Sequence, residues 1–313
     1  MKVLVADKFE ASGLRGLQEA GCQVAYHPEL DGEALVKSLH ALQPEVLIVR
    51  STKVQADALD VGSLSLVVRA GAGTNTIDVT HASARGIYVA NCPGRNAIAV
   101  AELTFGLLLS LDRRIPDNVQ ALREGRWNKK QFSVAKGLFG QRLGVLGLGA
   151  IAVEVIRRAQ AFGMPVVAWS RRFSGQSRAM SDDEVRELGV EPLTLRHPVW
   201  LAPSPEALAA QVDVLSVHLP LTAETRGRLG ASIFEALPPG AIFLNTSRGE
   251  LVDYDALRRA IHERGLRVGL DVFEKEPSAG TGTFEDPLGK LPTVYGTHHI
   301  GASTDQAQEA IAA

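Results

Sequence analysis

Three polar segments in the last third of this 313-residue chain hold side chains suited to chemistry. They read Asn245-Thr246-Ser247-Arg248-Gly249-Glu250, Asp271-Val272-Phe273-Glu274-Lys275-Glu276-Pro277 and Thr297-His298-His299-Ile300-Gly301-Ala302-Ser303. Each follows a short apolar run of strand type, and open α/β sheets bind ligands at the carboxyl ends of their strands. An arginine, a carboxylate and a histidine together suit oxidation of a hydroxyl that lies beside a carboxylate. The arginine would fork onto the substrate carboxylate, and the histidine would take the hydroxyl proton. A glutamate beside that histidine would orient the imidazole.

A fourth segment reads as a dinucleotide site. The run Leu143–Leu146 leads into Gly147-Leu148-Gly149-Ala150-Ile151-Ala152 and then a helical stretch. This is GxGxxA in the strand–turn–helix context the motif requires. Gly147 permits the tight turn, Gly149 lets the backbone approach a pyrophosphate, and Ala152 keeps helix and strand close. The pyrophosphate would sit on the helix N-terminus, at the free N–H groups of Ala150 and Ile151. The next strand, Val166–Trp169, ends in Ser170-Arg171-Arg172, with no acidic residue to hold the ribose hydroxyls of NAD. Two arginines suit the 2′-phosphate of NADP, or else they face solvent; both readings stand.

Behind these residues, further apolar runs supply the frame. They are Val3–Ala6, Val46–Val49, Leu66–Val68, Ile87–Ala90, Val214–His218, Ile242–Asn245 and Val268–Leu270, separated by helical stretches. Continuous apolar strands alternating with helices predict parallel sheets covered on both faces, an α/β fold. The stretch Asn96–Leu111 reads as a buried connecting helix, Arg113–Gly140 as a looser region, and Glu191–Pro205, with four prolines, as a surface loop. The expected domains are residues 1–97 plus 296–313, and a dinucleotide domain at 98–295. Composition narrows the class. With 33 Lys plus Arg against 35 Asp plus Glu, the charge of −2 argues against nucleic acid or an anionic membrane as partner. No signal-peptide cleavage site or membrane span is read, and two cysteines, Cys22 and Cys92, allow no disulfide framework, so a cytoplasmic protein is expected. A metal is not expected at His298-His299, for want of a third ligand.

At these motifs the chain resembles the D-isomer-specific 2-hydroxyacid dehydrogenase family, most closely its D-3-phosphoglycerate dehydrogenase branch. The resemblance runs from the first strand to Gly301 and implies two doubly wound domains, a Rossmann-type nucleotide domain inserted in a flavodoxin-like substrate domain. It implies Arg248 as the substrate-orienting arginine, Glu276 as the carboxylate that orients the histidine, and His299 as the acid–base. It further implies a nicotinamide cofactor, NAD in most of the branch, in a pocket lined by His218, Pro220, Thr225, Thr246, Asp271 and Gly301. A homodimer through the nucleotide domain is implied as well, with Arg113–Gly140 as its arm. His298 replaces the usual proline before the histidine, Ala152 replaces a glycine, and the 12 residues after Gly301 leave the usual closing helix short.

Substrate choice turns on the first domain. Arg50-Ser51-Thr52-Lys53 follows one strand and Arg69-Ala70-Gly71-Ala72-Gly73 the next. Arg50, Lys53 and Arg69 supply cations for a phosphate, or are surface salt-bridge residues. Gly71 and Gly73 offer backbone N–H groups to a carboxylate as a nest does, with Ser51 and Ala72 beside them. The run Arg-Ser-Thr-Lys resembles the phosphoglycerate dehydrogenase form of the loop, which implies the pair 3-phosphoglycerate and 3-phosphohydroxypyruvate, in serine biosynthesis. Two alternatives remain open here: a glyoxylate/hydroxypyruvate reductase, and a dinucleotide-sensing protein like the corepressors that share this fold.

Overall fold

The computed structural model describes residues 1–277 and 281–313, and they divide into two compact units, Met1–Ala99 with Ala302–Ala313, and Val100–Gly301. The first unit holds a parallel sheet of β1 (Lys2–Val5), β2 (Gln23–Tyr26), β3 (Val46–Val49), β4 (Leu66–Arg69) and β5 (Tyr88–Asn91), in spatial order β2-β1-β3-β4-β5. That is the flavodoxin-like order. The second holds β6 (Leu143–Leu146), β7 (Val166–Trp169), β8 (Val199–Leu201), β9 (Val214–Val217), β10 (Ile242–Asn245), β11 (Arg267–Leu270) and β12 (Val294–Gly296), all parallel, in order β12-β11-β10-β9-β6-β7-β8. This is the doubly wound dinucleotide order with one strand added, and its switch point lies between β6 and β9.

The inner strands are those with unbroken apolar runs. Val46–Val49, Leu143–Leu146, Val214–Val217 and Ile242–Asn245 are buried throughout, because helices cover both faces. Three strands lacked that signature and were not anticipated: β2, β8 and β12. Each lies at a sheet edge and is partly exposed, so its sequence mixes polar and apolar residues. For β8 this corrects the reading of Glu191–Pro205 as a loop. Val199 and Leu201 face the core while Trp200 between them faces solvent.

The connecting helix spans Ala97–Arg113, and the division between the units falls inside it. The region after it is more ordered than expected, with helices at Ile115–Arg123 and Lys129–Phe132. The second crossing falls after Gly301, six residues beyond the expected boundary, because β12 and the loop after it belong with the second sheet. A closing helix does form: Asp305–Ala312 packs on the helix Ala11–Glu19, where Gly13 leaves room for Ala312. No helix among the described residues is long and apolar enough to cross a membrane.

Candidate active site

The glycine turn after β6 is shaped by its neighbours. Gly147 has φ +100°, and a Cβ there would stand 2.5 Å from the carbonyl oxygen of His218 at the end of β9. Glycine alone lets the two strand ends come this close at the switch point. Gly149 then opens the helix Ala150–Ala161, whose start has no side-chain cap, and a Cβ on Gly149 would meet open space. Ala152 is fully buried against the sheet. An uncapped helix start, an open approach and a small residue at the packing position fit a dinucleotide pyrophosphate.

The catalytic candidates come from three adjacent loops of the same unit. At the end of β10 the buried Asn245 side chain closes a turn, accepting from the Ser247 N–H at 3.0 Å and donating to the Arg248 carbonyl at 2.8 Å. Ser247 donates to the Val217 carbonyl at 2.8 Å, and Thr246 meets Thr104 of the long helix at 3.1 Å. Gly249 lies so close to the next loop that a Cβ would stand 2.2 Å from the Phe273 carbonyl carbon. The Arg248 and Glu276 loops are therefore in direct backbone contact. Burial lowers the pKa of the Arg248 guanidinium, while the Glu250 and Glu276 carboxylates favour its charge.

Glu276 Oε1 accepts the Phe273 N–H at 2.8 Å, and Oε2 meets His299 Nδ1 at 2.7 Å. Burial pushes the Glu276 carboxyl up, but the His299 hydrogen bond and charge, the Phe273 N–H and Arg248 together hold it below the usual carboxylate range. His299 has φ +53°, in the left-handed region. This left-handed conformation costs about 1–2 kcal/mol for an ordinary residue, and histidine is among those that visit it. Asp271, at the end of β11 and almost fully buried, ties this loop down. Its carboxylate accepts from the Thr297 hydroxyl at 2.7 Å and from the Ile300 and Gly301 N–H groups at 2.9 Å, and its carbonyl accepts the His299 N–H at 2.8 Å.

The remaining cofactor candidates have their own partners. His218 is buried, with Nε2 2.9 Å from Ser216 Oγ, and burial pushes its pKa down to about 3. Thr225 donates to the Pro220 carbonyl at 2.7 Å and so shapes the loop after β9. Ser170 precedes a short turn in which Arg171 pairs with Glu224 at 3.0 Å and Arg172 pairs with Glu187. Among the described residues no cluster of three or more His, Cys, Asp or Glu side chains could hold a metal ion.

In the first unit the substrate candidates are arranged differently from expectation. Asp7, just past β1, accepts the N–H groups of Arg50 at 2.6 Å, Ser51 at 3.1 Å and Thr52 at 3.0 Å, and the Ser51 hydroxyl at 2.9 Å. Ser51 thus spends both its donors inside the protein. Nothing local in the sequence links Asp7 to the Arg50 loop; the pairing of β1 with β3 places its carboxylate there. The Arg50 pKa is lowered by burial, against the pull of Asp7 and Glu10. The expected nest is also altered. The Gly71 N–H donates to the Arg69 carbonyl at 2.8 Å, and a Cβ on Gly71 would strike the Arg69 guanidinium. Ala72 accepts from Asn91 at 2.6 Å. Lys53 is exposed and Gly73 half-buried.

Comparison with known proteins places this geometry among relatives. The family described as D-isomer specific 2-hydroxyacid dehydrogenase, NAD binding domain, matches residues 105–301. The D-3-phosphoglycerate dehydrogenase of Methanocaldococcus jannaschii is 36% identical over 313 residues, 99% of this chain and 55% of that protein. Its counterpart in Mycobacterium tuberculosis is 39% identical over 311 residues, 98% of this chain and 54% of that protein. The chain spans about half the length of these two relatives. Among solved structures, a glyoxylate reductase from Paecilomyes thermophila superimposes with a TM-score of 0.81 at 26% identity, covering 99% of this chain and 92% of that one.

Proposed function

Because the chain belongs to the D-isomer specific 2-hydroxyacid dehydrogenase family, we infer that it interconverts a D-2-hydroxyacid and its 2-ketoacid with a nicotinamide dinucleotide. The observation that carries this reading is the 2.7 Å pairing of His299 Nδ1 with Glu276, on a loop in backbone contact with that of Arg248. Glu276 accepts the Nδ1 proton, which leaves Nε2 as the basic nitrogen. In oxidation, Nε2 takes the hydroxyl proton while the carbinol carbon gives up its hydrogen with the bonding electrons, and C–O becomes C=O. Glu276 then faces an imidazolium, whose charge it stabilises. Arg248 binds the substrate carboxylate and aligns the carbon. In reduction the same groups act in reverse, with the proton leaving from Nε2.

When bound, the dinucleotide supplies the acceptor or donor of the hydride. Gly147, Gly149 and the N–H groups of Ala150 and Ile151 would hold its pyrophosphate, and Ser170 with Arg171 and Arg172 would face the adenosine ribose. The glutamate partners of both arginines compete with a 2′-phosphate, and position 170 offers no carboxylate for free hydroxyls. The site therefore accepts NAD without excluding NADP. A homodimer is supported by Ile115, Leu122, Trp127, Val134 and Phe139, all exposed between residues 115 and 139, since apolar surface of this kind marks association. A cytoplasmic setting agrees with two unpaired cysteines, Cys22 and Cys92.

For the substrate, the relatives named D-3-phosphoglycerate dehydrogenase and the cations Arg50 and Lys53 favour 3-phosphoglycerate and 3-phosphohydroxypyruvate. A second reading, a glyoxylate or hydroxypyruvate reductase, draws support from Asp7. It spends the loop's N–H donors and, with Glu10, offsets the Arg50 charge. Arg50→Ala separates them. If Arg50 binds the phosphate, KM for the phosphorylated substrate should rise about 10–150-fold, the worth of a charged hydrogen bond. KM for glyoxylate should stay unchanged. Equal losses on both substrates would favour the second reading.

A further inference from the structure

We propose that Asp7 is the positioning residue for Arg50, holding the backbone of residues 50–52 so that the guanidinium stands ready for a substrate anion. This rests on the reading of Arg50 as a substrate-binding residue. The first sheet runs β2-β1-β3-β4-β5, so its strand order reverses between β1 and β3. Loops leaving the carboxyl ends of such a pair diverge and open a crevice, the place where doubly wound sheets bind ligands. Asp7 and Arg50 stand on those two loops, one after each strand. Beyond β1 the Ala6 N–H still donates to the Ile48 carbonyl at 3.0 Å, which brings the Asp7 carboxylate up to the turn after Val49.

The contacts separate the loop's backbone from its side chain. Oδ2 of Asp7 gathers three consecutive N–H groups, those of Arg50 at 2.6 Å, Ser51 at 3.1 Å and Thr52 at 3.0 Å, and Oδ1 accepts the Ser51 hydroxyl at 2.9 Å. Successive N–H groups that converge in this way form an anion cradle, and here the protein's own carboxylate fills it. An external anion is therefore left to the side chain. Arg50 is half-buried, and among the described residues its guanidinium makes neither a hydrogen bond nor an ion pair. Burial lowers its pKa, whereas the Asp7 and Glu10 carboxylates favour its charge. A half-buried guanidinium without a partner is costly, and a carboxylate or phosphate arriving from the crevice offsets that cost. With its backbone pinned by Asp7, Arg50 meets that anion already oriented.

Three substitutions at Asp7 in the full chain, read against Arg50→Ala, are the test. Asp7→Ala removes every acceptor, so the amide protons of Arg50, Ser51 and Thr52 should exchange faster while those of β3 keep their protection. With 3-phosphohydroxypyruvate and glyoxylate as substrates, KM should rise about 10-fold wherever Arg50→Ala raises it, inside the about 10–150-fold loss expected of Arg50→Ala. A rise confined to the phosphorylated substrate assigns the anion as its phosphate, and an equal rise on both assigns it as the carboxylate; either supports the clamp. kcat should change little, whereas a merely structural role would lower the active fraction, and so kcat, with KM unmoved. In an Arg50→Ala background Asp7→Ala should add little, because both changes break one unit. The other two variants separate charge from geometry. Asp7→Asn loses the charge but keeps an oxygen for the N–H groups, and the Ser51 hydroxyl can turn to accept from its NH2, so KM should return most of the way. Asp7→Glu keeps the charge but overshoots by one methylene, so KM should stay raised. This pair decides the matter even where Asp7→Ala does not fold. A lowered KM in Asp7→Ala or Asp7→Asn, which loss of a negative charge near the substrate anion would give by itself, would overturn the proposal. So would the reverse ranking of Asp7→Asn and Asp7→Glu, or unchanged exchange at residues 50–52. If Arg50→Ala moves KM on neither substrate, the reading of Arg50 fails, and the exchange measurement still decides whether Asp7 holds the loop.

Discussion

Glu276→Gln is the substitution whose effect can be worked out furthest. The carboxylate has two partners, the Phe273 N–H at 2.8 Å and His299 Nδ1 at 2.7 Å, one on each oxygen. Its pKa lies below the usual carboxylate range despite burial, so it is ionised throughout neutral pH. Glutamine keeps the shape but has one accepting oxygen. With that oxygen on the Phe273 N–H, the amide NH2 faces Nδ1 and selects the tautomer that carries its proton on Nε2. That form has no lone pair for the substrate hydroxyl. The lost interaction is a hydrogen bond to a charged partner, worth about 1.5–3 kcal/mol, so kcat should fall about 10–150-fold. KM should move less, because Arg248 still binds the carboxylate. Steady-state rates in both directions give both quantities. An unchanged kcat would refute the orienting role.

Gly249→Ala should destabilise the protein by about 1–3 kcal/mol, since its methyl meets backbone that cannot yield cheaply. Thermal or denaturant unfolding checks this, and kcat should fall with it because the Arg248 and Glu276 loops are forced apart. His218 makes stability depend on pH. Its folded pKa is pushed down to about 3 by burial, below the unfolded value of about 6.5, so between these values the unfolded chain binds the extra proton. Stability should therefore fall as pH drops through that window. Urea unfolding at several pH values should show this slope and show it reduced in His218→Gln; an unchanged slope would place its origin elsewhere.

The central strands were legible because burial on both faces leaves a continuous apolar run, and the GxGxxA turn was legible because its glycines answer a local steric demand. The edge strands were not, since half-exposed β2, β8 and β12 share their composition with loops. Of the site, the residues proposed to bear the chemistry stood out by type and position at strand ends. Asp271 stood out with them, but its bonds did not, and Asp7 did not. Asp7 meets a loop 43–45 residues away and Asp271 one 26–30 residues away, and only the strand order reveals which loop each carboxylate can reach. The partner of the Gly71 N–H was hidden for a similar reason: it donates to the Arg69 carbonyl, a contact set by turn geometry rather than composition.

The central claim, that His299 moves the proton of a 2-hydroxyacid, is tested most directly by comparing His299→Ala with the unaltered chain. NADH oxidation would be followed against a panel of 2-ketoacids, phosphorylated and not, with NADH binding titrated separately. The unaltered chain should turn over at least one of them, and His299→Ala should lose about 10²–10⁴-fold in kcat while binding NADH as before. Full activity in His299→Ala, or no turnover by the unaltered chain on any member of the panel, would contradict the account.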